Sequence, residues 1–426
     1  MSGSHENTHE AFPPQIGRKT TLQDGRHPTL WARNLKERKV LCLNPISPVG
    51  LARLREGYTL TEDAEGAAGI LVRSADMREM TFPAELRAIA RAGAGVNNIP
   101  LDRCADQGIV VFNTPGANAN SVKELVIAGL LLASRDIIGG NEWVKAHITD
   151  ADIAKDGEKA KKAFAGHEIK GRSLGVVGLG AVGVLVANAA IALGMEVYGY
   201  DPYLSVRSAW QLSPLVKQAE NVESLYSVSD FVTLHVPAMD TTRGMVDTKA
   251  IGHMRDGVRV LNFARDVLVD EEAMGAALRS GKVSRYVSDF PNPLSAALEN
   301  AIVLPHLGAS TEEAEENCAV MAAEELQDYL DNGNITHSVN YPDLNAGVCE
   351  TEARVAILHK NIPNMLSQIT SFFGSNGLNI DNLSNKARGQ YAYTLLDISH
   401  PMPSDTVERL REIGGVLRVR RVAENI

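Results

Sequence analysis

Residues 173–201 read SLGVVGLGAVGVLVANAAIALGMEVYGYD, and the fold turns on how this stretch is read. Leu174 to Val177 is a short apolar run. Gly178, Gly180 and Gly183 follow with G-x-G-x-x-G spacing. An apolar helical pattern then runs from Val182 to Leu193, and a second apolar run, Val197 to Tyr200, stops at Asp201. The spacing predicts strand, tight turn, helix, strand and acid. Gly178 allows the turn, Gly180 lets the backbone approach a pyrophosphate, and Gly183 lets the helix pack on its strand. The opening helical residues, Ala181 and Val182, offer free N–H groups to the anion. Asp201 stands where a carboxylate can take both ribose hydroxyls of an adenosine. A 2'-phosphate would meet a negative charge there, so NAD is the cofactor expected.

Upstream of this unit, Lys39–Leu43, Gly69–Val72, Leu86–Arg91 and Ile109–Phe112 are apolar runs. Each is followed by polar or glycine residues: Asn44-Pro45, Arg73-Ser74, Ala92–Asn98 and Asn113–Gly116. Helical stretches between them predict a βαβα sheet with helices on both faces. Ala119–Ser134 predicts a long helix, expected to be covered by a second subunit. Residues 141–169 predict a further helix and a crossover. After Asp201, strands are expected at Phe231–His235, Val258–Leu261, Arg285–Ser288 and Ile302–Leu304, giving a doubly wound sheet of about six strands. Asp270 is a candidate helix cap. Ser310 and Glu313 read as a capping box that opens a long helix to about Asp331.

Asp343–Thr351 reads as a linker. The remainder reads β (Arg354–Leu358), α (Met365–Phe373), β (Ile380–Ala387), β (Tyr391–Ile398), α (Ser404–Ile413), β (Gly415–Val422). The expected fold is α/β: two doubly wound parallel-sheet (Rossmann/flavodoxin-like) domains and a C-terminal ferredoxin-like βαββαβ domain. The expected division is an extension at 1–35, a discontinuous domain at 36–140 and 308–342, and a dinucleotide domain at 141–307. A linker at 343–352 and the C-terminal unit at 353–426 complete it.

A chain of 426 residues calls for two or three cores. A net charge of −10 argues against nucleic acid or an acidic membrane surface as partner. Cys42, Cys104, Cys318 and Cys349 show no C-x-x-C spacing, which predicts reduced thiols in a cytoplasmic protein without a metal site.

Three residues lie just past strands of the second sheet: Arg265, Asp289 and His306. Hydride transfer from a 2-hydroxy acid needs a cation for the carboxylate, for which an arginine fork is suited. It also needs a base for the hydroxyl proton, for which histidine is suited. The residues leave three readings open. One is a dehydrogenase of a small phosphorylated 2-hydroxy acid. Another is a relative acting on hydroxypyruvate, glyoxylate or 4-phosphoerythronate. The third is a catalytically silent NADH-sensing protein. A basic cluster near Arg73 and Lys123 would favour the first.

The dinucleotide stretch, LNFARD at Leu261–Asp266, LPHLGAST at Leu304–Thr311, RAGAGVNNIP at Arg91–Pro100 and VFNTPGANANSVKELVIAGLLL at Val111–Leu132 resemble the D-2-hydroxyacid dehydrogenases. The C-terminal unit resembles an ACT domain, a small regulatory module. The resemblance implies that Arg265 holds the substrate carboxylate and His306 is the acid–base. It implies that Arg73, Ser74, Asn97 and Asn118 contact substrate, and that Asp289 bonds the nicotinamide carboxamide. His235, Pro237, Asn262, Ala264, His306 and Gly308 are expected along the cofactor. The family's glutamate partner for the histidine is missing: Asn292 stands near its place, which leaves His306 working alone or with Asn292, or with Glu299 or Glu313 as substitutes. His359, Asn361 and Asn379 match positions that bind L-serine across paired ACT domains, which implies a homodimer or homotetramer.

Overall fold

The computed structural model describes residues 37–424; the extension expected at 1–35 lies outside them. The first sheet holds β1 (Arg38–Cys42), β2 (Tyr58–Thr61), β3 (Ala67–Val72), β4 (Ala88–Arg91) and β5 (Val110–Phe112). It is parallel throughout, in the order β2-β1-β3-β4-β5. Both faces are covered, which is why its central strands are apolar runs rather than alternations. On one face Leu71, Ala88, Ala90 and Val110 pack on Cys318, Ala322 and Leu326 of the Glu312–Asn332 helix. On the other, Ile70, Val72, Ile89 and Val111 lie under Met77, Leu86, Ile99 and Cys104. Two expectations change. β2 is mostly polar and exposed on this edge, so no apolar run marked it. Between β3 and β4 the chain crosses in turns rather than a helix.

The second sheet holds β6 (Ser173–Val177), β7 (Glu196–Tyr200), β8 (Lys217–Gln218), β9 (Phe231–Leu234), β10 (Val258–Asn262), β11 (Val283–Ser288) and β12 (Ala301–Val303). Their order is β12-β11-β10-β9-β6-β7-β8, again parallel. The strand beyond the expected six is the two-residue edge β8. The order reverses at β6, and ligands of open α/β sheets bind at such a switch point. The Gly178–Gly183 turn sits there. A Cβ on Gly178 (φ +91°) would lie 2.5 Å from the His235 carbonyl oxygen, and one on Gly183 would lie 1.9 Å from that of Gly178.

The Ala119–Ser134 helix leaves the first sheet and packs Val122, Val126, Leu130 and Ala133 on Leu174, Val176 and Leu261 of the second. Its inward side is therefore buried by its own chain. The helix that returns to the first sheet, Glu312–Asn332, is capped by Thr311, whose Oγ1 accepts the Ala314 N–H at 3.1 Å. The Ser310–Glu313 box does not form, because Ser310 lies one residue too early and its hydroxyl bonds the His306 carbonyl.

The third sheet holds β13 (Ala353–Lys360), β14 (Ile380–Arg388), β15 (Tyr391–Ile398) and β16 (Val416–Glu424), antiparallel in the order β14-β15-β13-β16. One face carries the Met365–Ser375 and Thr406–Arg411 helices, through Met365, Ile369, Phe373 and Leu410. The other face, with Ala356, Leu358, Tyr393 and Leu395, joins the core built on Phe112, Tyr329 and Tyr341. The stretch expected as a linker is packed down: Leu344 pairs with Ile335, and Leu344 and Cys349 are buried. Among the described residues no helix is long and apolar enough to cross a membrane.

Candidate active site

A cavity of about 670 Å³ opens between the first two sheets. Arg73, Ser74, Asn97, Asn118, Arg265 and His306 all line it, so one space holds the residues expected to meet substrate. Each arrives from the C-terminal end of a parallel strand. Asn44, just past β1, accepts the N–H groups of Arg73, Ser74 and Ala75 on one side-chain oxygen, at 3.0, 3.0 and 2.9 Å. That fixes the loop after β3. The loop after β4 is clamped to Thr114, whose Oγ1 accepts the Gly93 N–H at 2.8 Å, and to Asn113, which donates to the Ala94 carbonyl at 2.6 Å. Asn118 caps the Ala119–Ser134 helix by position alone; its side chain makes no capping bond.

Arg265 is presented by a turn that buried Asn262 holds. The Asn262 amide donates to the Arg265 carbonyl at 2.8 Å, and its oxygen accepts the Ala264 N–H at 3.2 Å. Asn262, expected beside the cofactor, thus acts through the backbone that aims Arg265. His306 has φ +51°, a left-handed conformation a non-glycine residue adopts at a cost, of the kind found at active sites. Its N–H donates to the Asp289 carbonyl at 3.0 Å.

The imidazole of His306 meets no carboxylate among the described residues. The Asn292 amide is turned away: its nitrogen donates to Glu271 at 2.8 Å and its oxygen accepts the Leu294 and Ser295 N–H groups. Glu299 and Glu313 are exposed and outside the cavity. The ring that does face His306 is Phe290, edge-on with centroids 5.1 Å apart. The ring contact of His306 in this loop is thus apolar.

Two cavity residues carried no signal that the motif reading used. Arg91 ends β4, and burial together with nearby Arg265 and Arg73 holds its pKa below the usual guanidinium value. Glu315 pairs with Arg73 at 2.5 Å. The sequence signal for Arg91 is an arginine closing a buried strand. Lys123 is not part of the cavity lining and pairs with Glu124.

The residues on the cofactor side fit a dinucleotide. A Cβ on Gly180, the N-cap of the Ala181–Ala192 helix, would meet nothing within 4 Å, so the backbone there is open to an anion. Asp201 is fixed by the N–H groups of Leu179 and Tyr203, each at 2.8 Å, with lone pairs left for ribose hydroxyls. Asp289 is buried; Oδ2 accepts the Gly308 N–H at 2.9 Å, while Oδ1 has no partner among the described residues. Desolvation raises its pKa, and an orphaned buried acceptor of this kind suits an amide N–H₂ donor. Burial pushes His235 down to about 3, so its ring is neutral, bonded to Thr233 at 3.0 Å. Pro237 is exposed beyond it and Ala264 half-buried.

Comparison with known proteins gives the family. Residues 127–308 match the NAD binding domain of the D-isomer specific 2-hydroxyacid dehydrogenases. A D-3-phosphoglycerate dehydrogenase of Escherichia coli K12 is 32% identical over 380 residues, spanning 86% of this chain and 85% of that one. The chain belongs to the D-2-hydroxyacid dehydrogenase family. The enzyme of that name from Haemophilus influenzae is 31% identical over 338 residues, 76% of this chain and 78% of its own. An NAD⁺-bound 3-phosphoglycerate dehydrogenase from Entamoeba histolytica superposes with a TM-score of 0.57 at 26% identity, over 72% of this chain and all of that one. NAD is the cofactor of this dehydrogenase.

The residues expected to bind an effector are not gathered. His359 is 2% exposed; its ring nitrogens bond the Lys360 carbonyl and the Thr394 hydroxyl, both at 2.9 Å. Burial lowers its pKa. Asn361 bonds the Gly389 carbonyl and Asn379 bonds Asp381. Pairing of β14 and β13 with β15 puts Asn379 at one end of the sheet and His359 at the other. In the single chain the His359 side chain is part of the sheet's packing.

Proposed function

We propose that the chain oxidises 3-phospho-D-glycerate to 3-phosphohydroxypyruvate with NAD, the first step of phosphorylated L-serine biosynthesis. The observation that carries this is the convergence of Arg73, Arg91 and Arg265 on the cavity that holds His306. One guanidinium suffices for a carboxylate. Two more in the same cavity match a phosphate dianion. Relatives named D-3-phosphoglycerate dehydrogenase support the same substrate.

In this reading Arg265 grips the carboxylate and draws charge from C2, Arg73 and Arg91 take the phosphate, and Asn118 orients the chain between. His306 accepts the C2 hydroxyl proton as the C2–H bond releases its hydride, and a carbonyl forms at C2. The cofactor, when bound, supplies the hydride acceptor; Asp289 fixes its carboxamide and Asp201 its ribose. Phe290 and the left-handed backbone hold the His306 ring in place. No carboxylate stabilises the imidazolium, so its charge depends on solvent and on the substrate's own anions.

NADH formation with NAD and 3-phosphoglycerate tests the proposal. Turnover at least tenfold more efficient than with D-glycerate is expected, and equal efficiency for the two would refute a phosphate site. We also infer that the βαββαβ unit is a regulatory module of ACT type. Its support is the core it shares with the helix whose first turns line the cavity. An L-serine effector would bridge Asn361 of one copy and Asn379 of another, and inhibition of the same assay by L-serine is its measure.

A further inference from the structure

We propose that Glu315 sets the affinity of the cavity for phosphorylated substrate by occupying Arg73 until the substrate displaces it. The proposal rests on the substrate reading above. Glu315 stands in the first turn of the Glu312–Asn332 helix, and its Oε1 lies 2.5 Å from an Arg73 guanidinium nitrogen. Both residues line the cavity. Both are held at their roots: Arg73 through the Asn44 bond to its N–H, Glu315 by a helix whose Thr311 cap and buried Ala314, Cys318 and Ala319 fix its position. The pair is therefore an ordered feature of the wall.

The three cavity arginines are not equivalent. Among the described residues neither Arg91 nor Arg265 forms an ion pair with a carboxylate; Arg91 donates to the Arg73 carbonyl and Arg265 to that of Ala264. Only Arg73 arrives with its anion already in place. A carboxylate facing a cation that a phosphate needs is a competitor for that cation. A dianion wins because it carries more charge and more acceptor oxygens, but each binding event must release the Arg73–Glu315 pair. Glu315 is then left facing the phosphate, a like charge at short range. Both effects weaken binding of a phosphorylated substrate and leave one without the phosphate almost untouched. Glu315 thus acts on specificity through Arg73 and touches no reacting atom.

Both side chains are partly exposed, 42% for Arg73 and 44% for Glu315, so water screens the pair and its effect is modest. Glu315→Gln keeps the size and a hydrogen-bond acceptor and removes the charge. The expected result is a fall of about two- to fivefold in KM for 3-phosphoglycerate and in the inhibition constant of inorganic phosphate. The KM for D-glycerate falls by less. Glu315→Gln in an Arg73→Gln background brings a smaller fall, because only the repulsion between Glu315 and the phosphate is then relieved. An unchanged or raised KM for 3-phosphoglycerate in Glu315→Gln would overturn the proposal and make Glu315 a scaffold for Arg73. If the wild type does not turn over 3-phosphoglycerate, the substrate reading fails by itself. Competition by inorganic phosphate against whichever 2-hydroxy acid is turned over then still decides the role of Glu315.

Discussion

The catalytic cavity and the inner face of the C-terminal sheet use the same residue types to opposite ends. In the cavity Arg91 and Arg265 form no ion pair with a carboxylate among the described residues and Asn118 makes no capping bond, and on the cofactor side Asp289 keeps an oxygen without a partner among them. Against the C-terminal sheet, Arg354 is 1% exposed. It donates to both oxygens of Asp397, at 2.6 and 2.9 Å, and to the carbonyls of Asn332, Ala346 and Gly347. His359 uses both ring nitrogens within the chain. A polar residue in a buried place serves a ligand when the chain leaves its hydrogen bonds unmade, and serves architecture when the chain completes them. Residue type and strand-end position do not distinguish the two cases.

The comparison breaks most readily at His306. His306→Asn removes the proton acceptor and is expected to lower kcat by about 10²–10⁴-fold with little change in melting temperature. A large loss of stability instead would put His306 on the architectural side. Arg354→Met is the converse. Leaving Asp397 buried without its partner is expected to cost about 3–5 kcal/mol of stability, measured by urea unfolding, while the folded fraction keeps its KM. A KM change without destabilisation would place Arg354 in a ligand site.

A smaller effect sharpens the same boundary. Glu325, on the helix shared by both regions, contacts His337 Nδ1 at 2.6 Å. Burial, with Asp343 and Glu324 nearby, pushes its pKa from 4.5 to about 9. The folded protein keeps a proton that the unfolded chain releases above about pH 4.5, so the contribution to stability is complete below that pH and is lost as pH rises toward about 9. Glu325→Gln is expected to flatten the fall in unfolding free energy between about pH 6 and 9 by ~1 kcal/mol or more, the equivalent of one pKa unit. Parallel curves for the two proteins would mean that Glu325 is ionised in the fold.

Legibility followed the range of the interactions. The strands β6, β7, β10 and β13–β16 were readable because apolar periodicity and glycine placement act over a few residues. The polar edge strand β2 was not, since pairing with β1 alone defines it. Arg265 and His306 could be named from their places after strands. Glu315 could not, because it lies more than 200 residues from the arginine it meets. The Asn292 position was flagged by sequence, but its turn toward Glu271 and the approach of Phe290 to His306 are contacts between separate elements.

By itself the sequence determined three units of helix and strand, a glycine-rich turn of dinucleotide-binding spacing, and an acid just past β7. These depend on backbone sterics and local periodicity, which a chain carries wherever it folds. Tertiary structure alone decided which polar groups stay open. It closed His359 and Arg354 into the core, turned Asn292 away, set Phe290 against His306, and brought Glu315 to Arg73. The reason is that a hydrogen bond or ion pair is completed by whatever packs against it, and in this protein those partners come from distant parts of the chain.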